Sequence, residues 1–185
     1  MNTVEPIRKH EVIEGIKIYL KSRSERDWFL FVMGINIGLR ISDMLLLKVK
    51  DAKDKREIAI REKKTNKEKF IPINTTLRKA IDEYAKDMQP NDYLFPSRQL
   101  DEHNLPKPIT RERAYQILQD VAHEFKLERI GCHSMRKTFG YHLYEKTKDI
   151  ALLMYIFNHS AESITMRYIG KSQESYTDAM RGFGL

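Results

Sequence analysis

The most apolar stretch of the chain, residues 28–37, sets the first limit on the fold. It is much too short to cross a bilayer as a helix, which takes about 20 apolar residues. Its apolar side chains recur at helical spacing, and Gly38 follows as a natural C-terminal stop. The N-terminus lacks a basic region followed by an apolar signal core. We therefore expect a helix within a globular, intracellular protein, and assign it to the cytoplasm.

Most of the remaining chain also has helical periodicity. A short helix is expected to begin at Arg40 or just after it, with Ser42 as a candidate N-cap and Leu45, Leu46 and Leu47 on its body. The other predicted helices cover residues 12–20, 74–88, 110–125, 133–146, 149–157, 161–169 and, more weakly, 172–181.

Between these helices the pattern changes to that of an extended hairpin. Residues 57–60 alternate charged and apolar side chains, Thr65 and Asn66 have turn chemistry, and residues 70–73 resume the extended pattern. Pro72 places the returning strand at an edge or at its end, because proline removes a ladder donor. Residues 97–108 are polar and proline-marked, and we expect a flexible loop there. The predicted fold class is α+β, mainly helical with one small antiparallel sheet.

The composition favours a polyanionic partner. Lys and Arg total 33 against 26 Asp and Glu, which gives a net charge of +7 and a pI near 9.4. Nucleic acid is the first candidate for such a partner. Cys132 is the only cysteine, which excludes an intramolecular disulfide and a cysteine-rich zinc site. The chain contains no metal or nucleotide motif, so we expect no cofactor.

Two segments carry residues typical of phosphate chemistry. GLRISD at 38–43 places Arg40 at a helix start, and HSMR at 133–136 places an imidazole and a guanidinium on one helix face. His159 and Tyr168 follow. Each residue alone has an ordinary structural explanation, as a surface arginine, a core histidine or a tyrosine at the edge of the core. Their joint order and spacing are more specific.

This order resembles that of the tyrosine recombinases of the phage integrase family, from about Glu11 onward. The family's catalytic positions match Arg40, Lys64, His133, Arg136, His159 and Tyr168. The hairpin at 64–72 and the segments 41–43 and 136–139 add further similarity. The chain departs from the pattern at residues 157–158, where Phe-Asn replaces a frequent Leu-Gly pair, and at Lys137, where a histidine is frequent.

The resemblance implies an enzyme that cleaves and rejoins DNA through a 3′-phosphotyrosyl bond to Tyr168, without a cofactor. Arg40 and Arg136 would stabilise charge on the nonbridging phosphate oxygens. Lys64 would protonate the leaving oxygen, with its neighbour Lys63 as the rival for that role. His133 would carry the tyrosine proton, and His159 would hydrogen-bond a nonbridging oxygen.

The resemblance also implies how the chain is organised and assembled. Relatives generally carry a preceding helical DNA-binding domain, for which there is no room before Glu11, so we expect residues 1–185 to form the catalytic domain alone. The expected partner is double-stranded DNA, with a homotetramer assembled on it and a monomer possible in isolation. A type IB topoisomerase, which shares the fold and chemistry, and a catalytically idle DNA-binding regulator remain the alternatives.

Overall fold

The fold is mainly helical, with two small antiparallel hairpins. The computed structural model describes residues 4–61, 68–171, 180–181 and 183–184. The elements are α1 His10–Arg23, α2 Glu25–Ile37, α3 Ile41–Met44, a 3₁₀ helix Val49–Asp51, β1 Glu57–Arg61, β2 Glu68–Pro72, α4 Thr75–Tyr84, β3 Pro96–Leu100, β4 Pro106–Pro108, α5 Arg111–Glu124, α6 Cys132–Thr147, α7 Ile150–Phe157 and α8 Glu162–Tyr168.

Helix α2 is the centre of the core. It is buried continuously from Asp27 to Gly34, and α1, α4 and α6 pack around it. A helix that is apolar on all sides is stable in water only when other elements surround it. The predicted stop is confirmed, since Gly38 lies in the left-handed region at φ 61°. This packing places the C-terminal end of α2 against α6.

The predicted β1–β2 hairpin is confirmed. Ile58 pairs with Ile71 and both are buried, while Pro72 is the last residue of β2, opposite Glu57. The turn between the strands, including Lys64, lies outside the described residues.

The flexible loop predicted at residues 97–108 is wrong, because β3 and β4 pair there as a second antiparallel hairpin. Its turn is closed by Asp101, whose Oδ1 accepts hydrogen bonds from the backbone N–H groups of His103 and Leu105, each at 2.8 Å. Such local side-chain bonds satisfy backbone donors that a mobile loop would leave to water. The described chain therefore has two small sheets instead of one.

The predicted cap of α3 is also wrong. The N-cap position belongs to Arg40, whose carbonyl accepts from the N–H groups of Asp43 and Met44, each at 3.0 Å. The helix ends at Met44, so Leu45, Leu46 and Leu47 follow it instead of lying on it. The predicted start of α3 is confirmed.

Helix α4 also ends earlier than predicted, at Tyr84 instead of Met88. Most of the last predicted helix, residues 172–179, lies outside the described residues.

An extended segment at residues 4–9, here called the N-terminal strap, lies across α6. The N–H of Ile7 donates to Thr138 Oγ1 at 2.8 Å, and His142 Nε2 lies 3.0 Å from the carbonyl oxygen of Ile7. The N–H of Glu5 donates to the carbonyl of Arg129 at 2.8 Å.

Of the helices that the structure describes, none combines the length and apolar character needed to span a membrane.

Candidate active site

Helix α6 begins at Cys132 and presents His133 and Arg136 one turn apart, as predicted. The hydroxyl of Ser134 accepts the N–H of Gly131 at 3.1 Å and so fixes the start of the helix. The next residues turn into the core, and Arg136 is only 4% exposed. A guanidinium in this position must be hydrogen-bonded, because an uncompensated buried charge is strongly unfavourable.

Arg136 connects three segments of the chain. Its NH1 donates to the carbonyl of Gly38 at 2.5 Å, and its NH2 donates to the carbonyl of Phe157 at 3.4 Å. The guanidinium carbon also lies 4.7 Å from the centre of the Phe157 ring. The end of α2 and the end of α7 are thereby held against the start of α6.

Tyr168 ends α8 and lies within this cluster. Its ring centre is 5.1 Å from that of Phe157 and 5.2 Å from that of His159, both edge to face. Burial raises the pKa of Tyr168, while the charge of Arg136, its hydrogen bond to the tyrosine, and the charge of Arg40 act in the opposite direction. The phenol is therefore protonated at neutral pH and needs a proton acceptor to become a nucleophile.

His159 is held by a buried hydroxyl. Its Nδ1 lies 3.0 Å from Oγ1 of Thr165, a residue with no exposed surface, and that hydroxyl also lies 3.4 Å from the carbonyl of Ala161. Burial, then the charges of Arg136 and Arg40, lower the pKa of His159. The imidazole is consequently neutral at physiological pH, with Nε2 as the nitrogen left for a ligand.

His133 and Arg40 complete the cluster. Burial lowers the pKa of His133, and Arg136 and Arg111 are the largest of the positive charges that lower it further. Arg40 also contributes to that shift, and its NH1 lies 4.0 Å from Oδ2 of the buried Asp43. A neutral imidazole that can accept a proton thus lies beside a group of guanidiniums.

The model of the phage integrase family matches residues 6–175. The chain belongs to the phage integrase family. It is 49% identical to the probable integrase/recombinase YoeC of Bacillus subtilis, over 100% of this chain and 99% of the relative. It is 25% identical to the tyrosine recombinase XerD of Corynebacterium glutamicum, over 85% of this chain but only 52% of the relative. The chain thus spans about half the length of that Xer relative.

Solved structures confirm the fold class of this family member. The crystal structure of XerA recombinase aligns with a TM-score of 0.71 at 18% identity, covering 96% of this chain and 66% of XerA. The XerH recombinase in its post-cleavage complex with a palindromic difH substrate also gives 0.71, at 19% identity, covering 97% of this chain and 52% of XerH. The mainly helical architecture with small antiparallel sheets is therefore that of an integrase-family domain.

The structure brings most of the predicted site residues of this integrase-family chain together. The charges of Arg40 and Arg136 lower the pKa of His133 and His159 and oppose the burial effect on the pKa of Tyr168, and the His159 ring lies against the Tyr168 ring. Lys64 lies outside the described residues. Within the described ranges, no group of three or more His, Cys, Asp or Glu side chains could hold a metal ion.

Sequence reasoning missed several supporting residues. Thr165, which holds His159, lies three positions before Tyr168, but this spacing alone does not predict a bond to a histidine outside the helix. Asp43 was part of the matched segment 41–43 but received no role, although it lies three positions after Arg40 at a helix start. Lys137, buried beside Tyr168, was noticed only as a departure from the family pattern.

Proposed function

We propose that this chain is a tyrosine-type site-specific DNA recombinase, or integrase, that cleaves and rejoins DNA strands through a 3′-phosphotyrosyl intermediate on Tyr168. The observation that carries the proposal is the position of Tyr168, whose ring lies edge to face against Phe157 and His159 and whose pKa the charges of Arg136 and Arg40 lower against the effect of burial. A phenol held against guanidiniums beside neutral imidazoles has the groups needed for attack on a phosphodiester.

Arg40 and Arg136 would bind the nonbridging oxygens of the scissile phosphate. Negative charge grows on these oxygens as the nucleophile approaches, and guanidinium forks stabilise it with paired hydrogen bonds. The backbone contacts of Arg136 support this role, because a side chain already held in place loses little freedom when the phosphate binds. His159 would donate from Nε2 to a nonbridging oxygen once the bound phosphate favours its protonated form, with Nδ1–H donating to Thr165 Oγ1, whose own hydrogen goes to the carbonyl of Ala161.

The nucleophilic step would form the bond between the Tyr168 oxygen and phosphorus and break the bond between phosphorus and the 5′ oxygen. His133, which is neutral because its pKa is lowered, would accept the phenol proton. Lys64 would donate a proton to the leaving 5′ oxygen, with Lys63 as the rival donor. Rejoining would be the same reaction in reverse with a 5′-hydroxyl from the partner strand, so no external energy source is needed.

The proposed partner is double-stranded DNA, supported by the net charge of +7. Residues 1–185 would act as a catalytic domain, monomeric in isolation and tetrameric on paired DNA sites, in the cytoplasm. The names of the relatives, which are integrases and recombinases, favour this function over a type IB topoisomerase. The presence in the sequence of all six candidate groups favours it over an idle DNA-binding regulator.

The test is covalent capture on DNA. We expect the protein to form a protease-sensitive covalent adduct with nicked suicide duplexes that carry candidate sites from the DNA flanking its gene. Tyr168→Phe should abolish the adduct completely, because it removes the nucleophilic oxygen and leaves the aromatic packing in place. Thermal denaturation and DNA binding of this variant should match those of the unaltered protein.

Two tyrosines serve as controls. Tyr155, which is 81% exposed on α7, and Tyr176, which lies outside the described residues, should each tolerate substitution by Phe without loss of the adduct. An adduct formed by Tyr168→Phe, or its loss in Tyr176→Phe alone, would show that the nucleophile is misassigned.

A further inference from the structure

Lys137 is a buried lysine beside the candidate nucleophile. It directly follows Arg136 in α6 and is only 5% exposed. Its Nζ donates a hydrogen bond of 2.7 Å to the carbonyl of Val4 in the N-terminal strap. The same nitrogen lies 5.2 Å from the centre of the Tyr168 ring, on its face. One side chain thus contacts both the strap and the nucleophile.

The groups around Lys137 can stabilise its ammonium form inside the protein. A buried ammonium loses its hydration, and a carbonyl oxygen together with an aromatic face replaces part of it. Burial lowers the pKa of Lys137, the carboxylate of Glu5 raises it, and Arg129 and Arg8 lower it further. A lysine at a purely structural position would be expected to extend its amine to water, as this residue type usually does.

The strap does not depend on Lys137 for its attachment. Thr138 and His142 each bind Ile7 from the same helix, and Arg129 binds Glu5. The contact of Lys137 with the Tyr168 ring is therefore separable from its contact with the strap. That separation makes the role of the charge open to experiment.

We propose that Lys137 is a positioning residue for Tyr168, whose ammonium group holds the ring and favours the phenolate form of the nucleophile. The inference rests on the proposed function, in which Tyr168 attacks the phosphate. When the phenol loses its proton, negative charge spreads into the ring, and a cation held near the ring in a desolvated site attracts that charge. Among the residues that the structure describes, the other ionisable groups that act on Tyr168 or lie against it are Arg136, Arg40 and His159.

The first measurement is the pKa of Tyr168 itself, which requires no DNA. The protein carries nine tyrosines, so the Tyr168 signal is identified in ¹³C-tyrosine NMR spectra as the resonance missing from Tyr168→Phe. Lys137→Met and Lys137→Gln should both raise the pKa of Tyr168, whereas Lys137→Arg should leave it close to that of the unaltered protein. Gln still offers a donor to Val4 without a charge, so it separates the strap bond from the cation and replaces Met if Lys137→Met fails to fold.

The second measurement is single-turnover cleavage of the suicide duplex. We expect Lys137→Gln to cleave about tenfold more slowly at neutral pH, the change that follows from about one pKa unit. In the pH–rate profile of this variant, the rise in cleavage rate with pH should move to higher pH. Its DNA affinity should stay unchanged. Lys137→Arg should restore most of the rate. Thr138→Val, which removes the acceptor for Ile7 N–H but does not alter the cation, should leave both the Tyr168 pKa and the pH profile unchanged.

Three results would overturn the inference: an equal Tyr168 pKa in Lys137→Gln and the unaltered protein, an effect of Thr138→Val as large as that of Lys137→Gln, or an unchanged cleavage rate despite a shifted pKa. A failure of the proposed function looks different. In that case the unaltered protein forms no adduct at all, while the titration still reports whether the ammonium acts on Tyr168.

Discussion

At Arg136, one side chain contacts the ends of two helices that are far apart in sequence. The acceptors are the carbonyls of Gly38 and Phe157, which helix ends leave without an intrahelical partner. The arginine therefore satisfies backbone groups that would otherwise be buried without a bond. The same bonds hold the guanidinium in a fixed position next to Tyr168. A lysine could not replace it, since a single ammonium cannot reach both carbonyls with a planar fork.

Thr165 permits a second test at this scale. Thr165→Val keeps the shape but deletes the hydroxyl that faces His159 Nδ1, so we expect a loss of about 1 kcal/mol in the free energy of unfolding, measured by urea denaturation. Cleavage of the suicide duplex should also slow, because the imidazole is no longer oriented. Thr165→Ser retains the hydroxyl and should restore cleavage. Equal cleavage by the Val and Ser variants would exclude a role for this bond.

At the scale of elements, the contact between α2 and α6 determines where the site forms. Both helices approach closely where side chains are absent. A Cβ atom built on Gly34 would lie 2.5 Å from Met135 Sδ, and one on Gly38 would lie 2.4 Å from Phe139 Cδ1. Such distances show that the glycines are required for the approach. The approach in turn allows Arg136 to reach the end of α2.

Gly38→Ala tests this contact. The substitution adds a methyl group at φ 61° and against the Phe139 ring, so it should destabilise the protein by about 1 to 3 kcal/mol in urea denaturation. Cleavage should fall as well, since the carbonyl that anchors Arg136 is displaced. Gly184→Ala is the matched control, because no atom lies within 4 Å of its added Cβ. A Gly38→Ala variant as stable as the control would contradict the packing described above.

At the scale of the whole molecule, the net positive charge predicts how DNA binding depends on salt concentration. The net charge of +7 includes the exposed lysines and arginines, which would displace condensed counterions from phosphates. We expect the logarithm of the binding constant to fall linearly with the logarithm of salt concentration, between about 50 and 200 mM, in fluorescence anisotropy with a labelled duplex. Binding that is indifferent to ionic strength would argue against contacts to the DNA backbone.

The folded protein should lose stability in mild acid. Burial lowers the pKa of His133, His142 and His159, whose ordinary value is 6.5. The unfolded chain therefore binds more protons than the folded protein as the pH falls through 6.5, and the free energy of unfolding declines. Urea midpoints at pH 7.5 and 5.5 measure this decline.

Two histidine variants identify its source. His142→Gln should reduce the pH dependence, because it removes a half-buried titrating group and keeps a donor for the carbonyl of Ile7. His103→Gln, at an exposed position in the second hairpin, should leave the pH dependence unchanged. A midpoint that does not change between the two pH values would show that His133, His142 and His159 do not control stability.

The sequence by itself determined the helix order, the first hairpin and the candidate site, because each depends on local patterns. Apolar periodicity and caps such as Asn74, Thr110 and Asp149 act within one or two turns, so they can be recognised without knowing the neighbours. The order of the chemical groups, from Arg40 to Tyr168, is equally visible in one dimension. Their catalytic roles stay predictions.

Only the tertiary structure decided which groups are buried and what they contact. The second hairpin escaped prediction because its stability comes from cross-strand pairing and the turn at Asp101, while its side chains are mostly polar. Thr165 and Lys137 look unremarkable in sequence, since a hydroxyl or an ammonium acquires its importance from desolvation and from partners contributed by distant segments. Burial and long-range contacts arise only when distant segments pack together, so a local sequence pattern does not predict them.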